Sequence, residues 1–368
     1  MGLTVKAALA ATLAWLAAQA CLAEFVDGVR RARATTADDL FVAGDVIHIV
    51  RSSLAALRPR ETWAGRVWAL PFLTALAPSE RYCRERGRRH KKLTDRARQP
   101  VLQARRRLPD RRLVLVADSG FAALELLAAL VRRGVTCITR LRLDAALYAP
   151  APPRQPGTAG RPRTKGARLP NLAEALADRA APWRRVAVPG WYGEGERVVE
   201  IHSGTAVWRH AGLPVVPIRW VLLRDPGHRF GPQALLCTDL DQDPVRIVRW
   251  FVQRWQLEVT FREVRDHLGV ETQRQWSDKA IARTTPRLLA LFSIATLLAT
   301  RLGRRARLQV SASAWYHKKH PTFADTLAAV RRQLWCEQGL LTSRHSSETA
   351  KLRPALREGI AHALCHAA

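Results

Sequence analysis

The sequence predicts an α/β fold: a mixed sheet flanked by helices, interrupted by a β-rich insertion and closed by a helical C-terminus. Three observations predict it. Residues 113–139 read as strand, helix and strand joined by short links, the pattern of a parallel crossover. Residues 182–237 break into short apolar segments separated by Gly, Pro and Asp. Residues 243–268 then carry apolar side chains at helical spacing. With 368 residues, 48% of them hydrophobic, the chain can bury a sizeable core.

Taken in order, residues 25–60 show little steady period. WAGRVWALPFLTAL, from Trp63, reads as a strand or buried turn. Residues 84–112 hold thirteen Lys or Arg against three acids, either a solvated face or a phosphate-contacting surface. LVLVA at 113–117 is a short buried strand ending in Asp118-Ser119-Gly120. A helix over 121–133 stops at Gly134, and VTCIT at 135–139 is the second strand, followed by Arg140 and Arg142.

Residues 150–170, rich in Pro, Gly and Arg, form an exposed loop. RRVAVPG, RVVEIHSG, TAVWRHA, VVPIRWVLLRD and ALLCT are the strands of the insertion. Asp243 and Pro244 suit the cap and first position of one helix running to about Leu268, where Gly269 stops it. Further helices fall near 281–302 and 323–335. The segments expected are therefore a divergent 1–60, core parts 61–149 and 239–305 on either side of an insertion at 150–238, and a basic helical tail at 306–368.

Charge narrows the partners. Sixty Lys and Arg against thirty-one Asp and Glu give +29 and a pI near 11.4. Folding does not need that excess, and self-repulsion opposes it. A polyanion explains it, and nucleic acid is the usual one; arginine bias in a GC-rich gene is the bland alternative. The six cysteines have no metal-finger or redox spacing and read as buried thiols in a reducing compartment. The apolar run 7–23 after Lys6 resembles a secretory signal, but the scattered thiols and basic charge favour a cytoplasmic, nucleoid-associated protein over an exported one. No later segment is expected to span a bilayer, and neither a membrane nor a small-molecule substrate is expected as a partner.

The 243–268 helix carries the strongest local feature. With Phe251 at the origin and ~100° per residue, Arg254 falls near about −60°, Glu258 about −20° and Arg265 about −40°. One acid thus sits between two guanidinium groups on a narrow stripe, with Trp255 beside it. A surface helix could carry this as simple i,i+4 and i,i+7 pairing.

Phe251, Arg254, Glu258 and Arg265, with the RW-x-x-E core of Arg254-Trp255-Gln256-Leu257-Glu258, resemble the Y-x2-R-x3-E-x6-K signature of DDE-type insertion-sequence transposases with an RNase H-like fold. Two positions depart, Phe for Tyr and Arg for Lys; Phe251 lacks the hydroxyl. VLVADSGF is a second match: in that family the middle Asp ends a strand, leads into a helix and is followed by a strand with basic residues. A β-rich insertion between this Asp and the Glu is a family trait. The resemblance covers about 61–303.

The resemblance implies that Asp118 and Glu258 are catalytic and metal-binding carboxylates. It implies that Arg254 and Arg265 hold DNA backbone, with Phe251, Trp255, Arg140 and Arg142 as further DNA-binding candidates. Asp239, in CTDLDQDP, is a distant alternative for the middle acid. The first acid has no clear motif. Asp27, in EFVDGVRR, is preferred over Asp38, Asp39 and Asp45, and would share the metal. Trp191, Trp208 and Trp220 are candidate base-stacking platforms, though sheet packing explains most tryptophans.

Phosphodiester cleavage needs in-line attack at phosphorus, and two Mg²⁺ or Mn²⁺ ions held by distant acids suit it. The implied partners are transposon-end and target DNA, with a homodimer in a synaptic complex. Two readings stay open: an active transposase, and a catalytically dead DNA-binding remnant whose 1–60 segment, truncated or frame-shifted, lacks the first Asp.

Overall fold

A computed structural model describes residues 46–50, 53–58, 67–74, 77–154, 159–193, 195–272, 277–305, 310, 318, 320–338 and 353–366. In chain order the strands and helices are β1 (Val46–Val50), β2 (Ser53–Arg58), β3 (Trp68–Thr74), α1 (Glu80–Glu85), α2 (Leu93–Arg107), β4 (Leu113–Ala117), α3 (Leu124–Val131), β5 (Val135–Leu141) and β6 (Leu147–Tyr148). There follow α4 (Leu172–Ala177), β7 (Arg184–Val188), β8 (Arg197–Trp208), β9 (Val216–Arg224), β10 (Gln233–Cys237), α5 (Pro244–Gln253), α6 (Trp255–Leu268), α7 (Asp278–Arg305), α8 (Phe323–Gln338) and α9 (Pro354–His366).

Two compact units divide these elements. The first draws on Ala43–Leu57 and Leu73–Glu258. Its sheet runs β2-β1-β4-β5-β10-β9-β8-β6, with β7 pairing β8. β1 lies antiparallel to β2 and parallel to β4, and β4 parallel to β5; β10 then adds antiparallel to β5. This mixed, helix-flanked sheet is RNase H-like. The strand-rich block after 182 is continuous with it, because β10, β9 and β8 extend the same sheet.

The sheet's pattern follows from side-chain alternation. All five residues of β4 are buried, so LVLVA covers both faces. Val114, Val116, Ile138, Val221, Leu223, Leu235 and Cys237 pack with Ile247, Val248, Phe251 and Val252 of α5 in one core. Each full burial of this kind contributes about 1.5–3 kcal/mol. α3 packs on β5, its Leu124, Leu127 and Leu130 buried, and Gly134 with φ +66 ends that helical segment as expected.

The segments RVVEIHSG and TAVWRHA, expected as two strands, are the single twelve-residue β8. Gly204 is no turn there. It faces Trp220 across the ladder, and a Cβ at Gly204 would stand 2.7 Å from Trp220 Cζ2. The glycine makes room for an indole. β1 and β2 lie within the segment where no period was legible.

The second unit draws its described residues from Arg58–Phe72 and Val259–Ala368. Trp68, Phe292 and Phe323 form its aromatic centre, with Phe292 and Phe323 centroids 4.4 Å apart. Thr260 Oγ1 donates to Ala69 O at 2.8 Å and Ser293 Oγ to Pro71 O at 2.7 Å, so helix hydroxyls satisfy the backbone of β3. Contrary to expectation, the Asp278–Thr300 stretch of α7 is long and apolar enough to cross a membrane by length and composition. Leu289, Phe292, Ala295 and Ala299 of this stretch are buried, while most of it is not.

Candidate active site

β4 delivers Asp118 to the end of the sheet. The chain leaves the strand there in an extended conformation and enters a single helical turn, Ser119–Phe121. Asp118 Oδ1 accepts from Gly120 N at 2.9 Å, and its carbonyl accepts from Thr139 Oγ1 on β5. One carboxylate oxygen therefore steadies the turn, and Oδ2 has no hydrogen-bond partner among the described residues.

Strand register brings a cation to the same place. Val116 is registered with Ile138, and both pack on the α5 face of the sheet. Asp118 and Arg140 each lie two residues further on, so the alternation places them side by side on that face. Arg140 is exposed. Arg142 instead pairs with Asp144, Nε to Oδ1 at 2.8 Å, which holds the Asp144 carboxyl below its usual range.

The helix that was expected to run unbroken over 243–268 is two helices. Asp243 caps α5, its Oδ2 accepting from Arg246 N at 3.0 Å, with Pro244 in the first turn. At Arg254 the backbone tightens: Arg254 N donates to Phe251 O at 3.1 Å, and Leu257 N to Arg254 O at 3.0 Å. These bonds span three residues rather than four and interrupt the helix. Arg254 is drawn inward, its side chain 15% exposed, with Nη1 2.9 Å from Glu258 Oε1. Its guanidinium stands 5.9 Å from the Phe251 ring, and its buried Nε has no acceptor among the described residues.

The other sequence candidates have varied settings. Phe251 is 3% exposed and belongs to the core. Trp255 is partly exposed and meets Tyr192 edge-on at 6.0 Å. Arg265 lies in the second unit and pairs with Glu271 at 3.5 Å. Asp239 is engaged by Arg112 at 2.6 Å and by Asp241 N at 3.1 Å. Asp27, Asp38, Asp39 and Asp45 lie outside the described residues. Of the tryptophans, Trp191 is buried against Phe230 at 5.2 Å, Trp208 is buried, and Trp220 packs on His202 and over Gly204. A cavity of about 310 Å³ is lined by Ser119, which follows Asp118, and by Arg140, Arg142, Trp208 and Gln233 among others.

Sequence reasoning missed Tyr192. Burial pushes its phenol up, Arg140 and Arg254 oppose that and Glu258 adds to it, so all three charges act on one hydroxyl. Its φ of 48° and ψ of 34° are left-handed, which costs a bulky residue on the order of 1–3 kcal/mol. The available signal was an aromatic pair set between two glycines, Gly190-Trp191-Tyr192-Gly193.

β1 supplies no acid. It reads VIHIV, with His48 registered to Val116 and Ile49 to Ala117, so Val50 ends the strand level with Asp118. Among the described residues no three His, Cys, Asp or Glu side chains converge to hold a metal ion.

Residues 42–197 match the family model of the DDE superfamily endonucleases. The match takes in the strand bearing Asp118, the neighbouring Arg140 and the Trp191-Tyr192 turn, and ends before Glu258. It supports a DDE-type nuclease acting on DNA with divalent metal ions. No curated protein matches the chain. The donors fit such ions in kind: Asp118 and Glu258 are hard oxygen ligands, and each keeps one oxygen without a partner among the described residues.

Proposed function

We propose that this chain is a DDE transposase that cleaves DNA at insertion-sequence ends and joins the freed 3′ end to a target. The observation that carries the reading is the DDE endonuclease match over the strand that ends in Asp118, together with the Arg254–Glu258 pair of the Phe/Arg/Glu stretch. Asp118 and Glu258 would hold Mg²⁺ or Mn²⁺, two ions in all. Such ions polarise the phosphate and activate the attacking oxygen.

The chain's own groups have distinct parts. Arg254, mostly buried and paired, orients Glu258 through Nη1 and turns the rest of its guanidinium toward phosphate. Arg140, exposed beside Asp118, faces incoming phosphate. Trp255 and the wider positive surface hold the duplex, and a homodimer would pair two ends. Cytoplasmic placement belongs to the same reading.

A second reading has its own support. VIHIV puts His48 and Val50, not an acid, beside the strand of Asp118. That favours a DNA-binding remnant unless Asp27 or another upstream acid reaches the site. Incubating the full chain with end-containing DNA in Mg²⁺, Mn²⁺ or EDTA separates the two. Nicking that needs the divalent ion supports the enzyme; tight binding without nicking under every condition supports the remnant.

A further inference from the structure

The geometry points to Tyr192 as a substrate-binding residue, its phenol hydroxyl donating to a DNA phosphate oxygen held between Arg140 and Arg254. The inference rests on the nuclease reading of that site.

Four observations carry it. Tyr192 is fixed by its neighbours: Trp191 meets its ring at 5.3 Å and 88°, and Trp255 meets it at 6.0 Å and 87°. Trp191 is itself buried and stacked on Phe230, so the phenol stands on an aromatic pedestal rooted in the core. The turn beneath is closed by Trp191 N donating to Gly195 O at 3.1 Å. The backbone of Tyr192 is left-handed, a conformation that bulky residues keep only where the surroundings enforce it.

The surroundings of the hydroxyl give the ligand its chemistry. Tyr192 packs on the core cluster that holds Val116 and Ile138, two residues before Asp118 and Arg140, and its ring meets Trp255, the residue after Arg254, so Arg140 reaches this place from β5 and Arg254 with Glu258 from the helix break. Two guanidinium groups and one carboxylate around a neutral donor suit an anion with several acceptor oxygens. A phosphodiester is such an anion, and the sheet-end position sets it next to Asp118.

The test compares the full-length wild type, Tyr192→Phe and Arg140→Gln. Equilibrium binding to a short end-containing duplex is measured in EDTA over a range of salt, with melting temperatures and Mg²⁺-dependent nicking alongside. Tyr192→Phe keeps the ring and the pedestal. Its affinity is expected to fall on the order of tenfold at every salt concentration, with an unchanged salt slope and melting temperature. Arg140→Gln is expected to lower the slope by about one. Binding of Tyr192→Phe within about twofold of wild type overturns the inference, and so does a loss accompanied by a lower melting temperature or a changed slope. If wild type never nicks but Tyr192→Phe still binds more weakly, the nuclease reading falls and the phosphate contact stands.

Discussion

Arg254 grips Glu258 at 2.9 Å from the very residue at which the helix breaks. The break turns a repeating surface stripe into a defined pair: a mostly buried guanidinium and a carboxylate that keeps one oxygen for another partner. Arg254→Gln is expected to leave the fold intact and to lower nicking on the order of tenfold or more, because Glu258 loses the group that orients it. Single-turnover nicking rates check this, with DNA affinity measured in parallel. An unchanged rate would make the pair a surface contact only.

Asp118 is expected to matter for chemistry and not for affinity. Asp118→Asn preserves the turn, since the amide oxygen can still accept from Gly120 N. Nicking should fall by about a thousandfold or more, while duplex binding changes by less than about threefold, since affinity is set by the many cations. Gel-shift titration and a nicking time course on the same preparation read both. EDTA should reproduce the loss in the wild type.

The glycine in β8 should be intolerant of side chains. Gly204→Val puts a Cβ where Trp220 Cζ2 stands 2.7 Å away, inside a continuous ladder. Overpacking of this kind costs about 1–3 kcal/mol. Urea unfolding should show that loss, and Trp220→Leu in the same chain should recover part of it. A neutral Gly204→Val would mean that the strand moves aside freely.

Asp225 predicts an acid limb in stability. It is buried and accepts from Arg229 Nε at 3.1 Å, Arg229 N at 3.0 Å and Gly227 N at 3.0 Å. The Arg229 side chain, with those backbone donors, holds its carboxyl at about 2. An unfolded Asp titrates near ~3.9. A depressed value stabilises the folded chain above the unfolded value, and that stability drains away as pH falls from about 4 through about 2. Denaturant midpoints across that window should fall for wild type and flatten for Asp225→Asn.

Legibility in the sequence followed how local the cause was. β4, α3 and β5 could be read because an all-apolar run, a helical period and Gly134 each act within a few residues. Asp243 and Pro244 announced α5 for the same reason. The break at Arg254 could not be read, since apolar spacing continues across it and the three-residue hydrogen bonds at Arg254 leave no mark in the sequence. Gly204 looked like a turn because the indole that needs its space comes from another strand. VIHIV was too short, in too irregular a stretch, to declare itself as the strand beside β4. Tyr192 was hidden because Gly-Trp-Tyr-Gly reads as loop, and its place against Trp255 and the core of the sheet is made only by the fold.

In the proposed site Asp118 and Glu258 serve the same divalent ions. Iron-directed scission tests it most directly: the full chain is loaded with Fe²⁺ in place of Mg²⁺, treated with ascorbate and peroxide, and its fragments are mapped by mass spectrometry. Cuts are expected to cluster near both residue 118 and residue 258, and to be suppressed together by excess Mg²⁺ and by either Asp118→Asn or Glu258→Gln. Cuts at only one of the two places, or cuts at both that respond to only their own substitution, would contradict it.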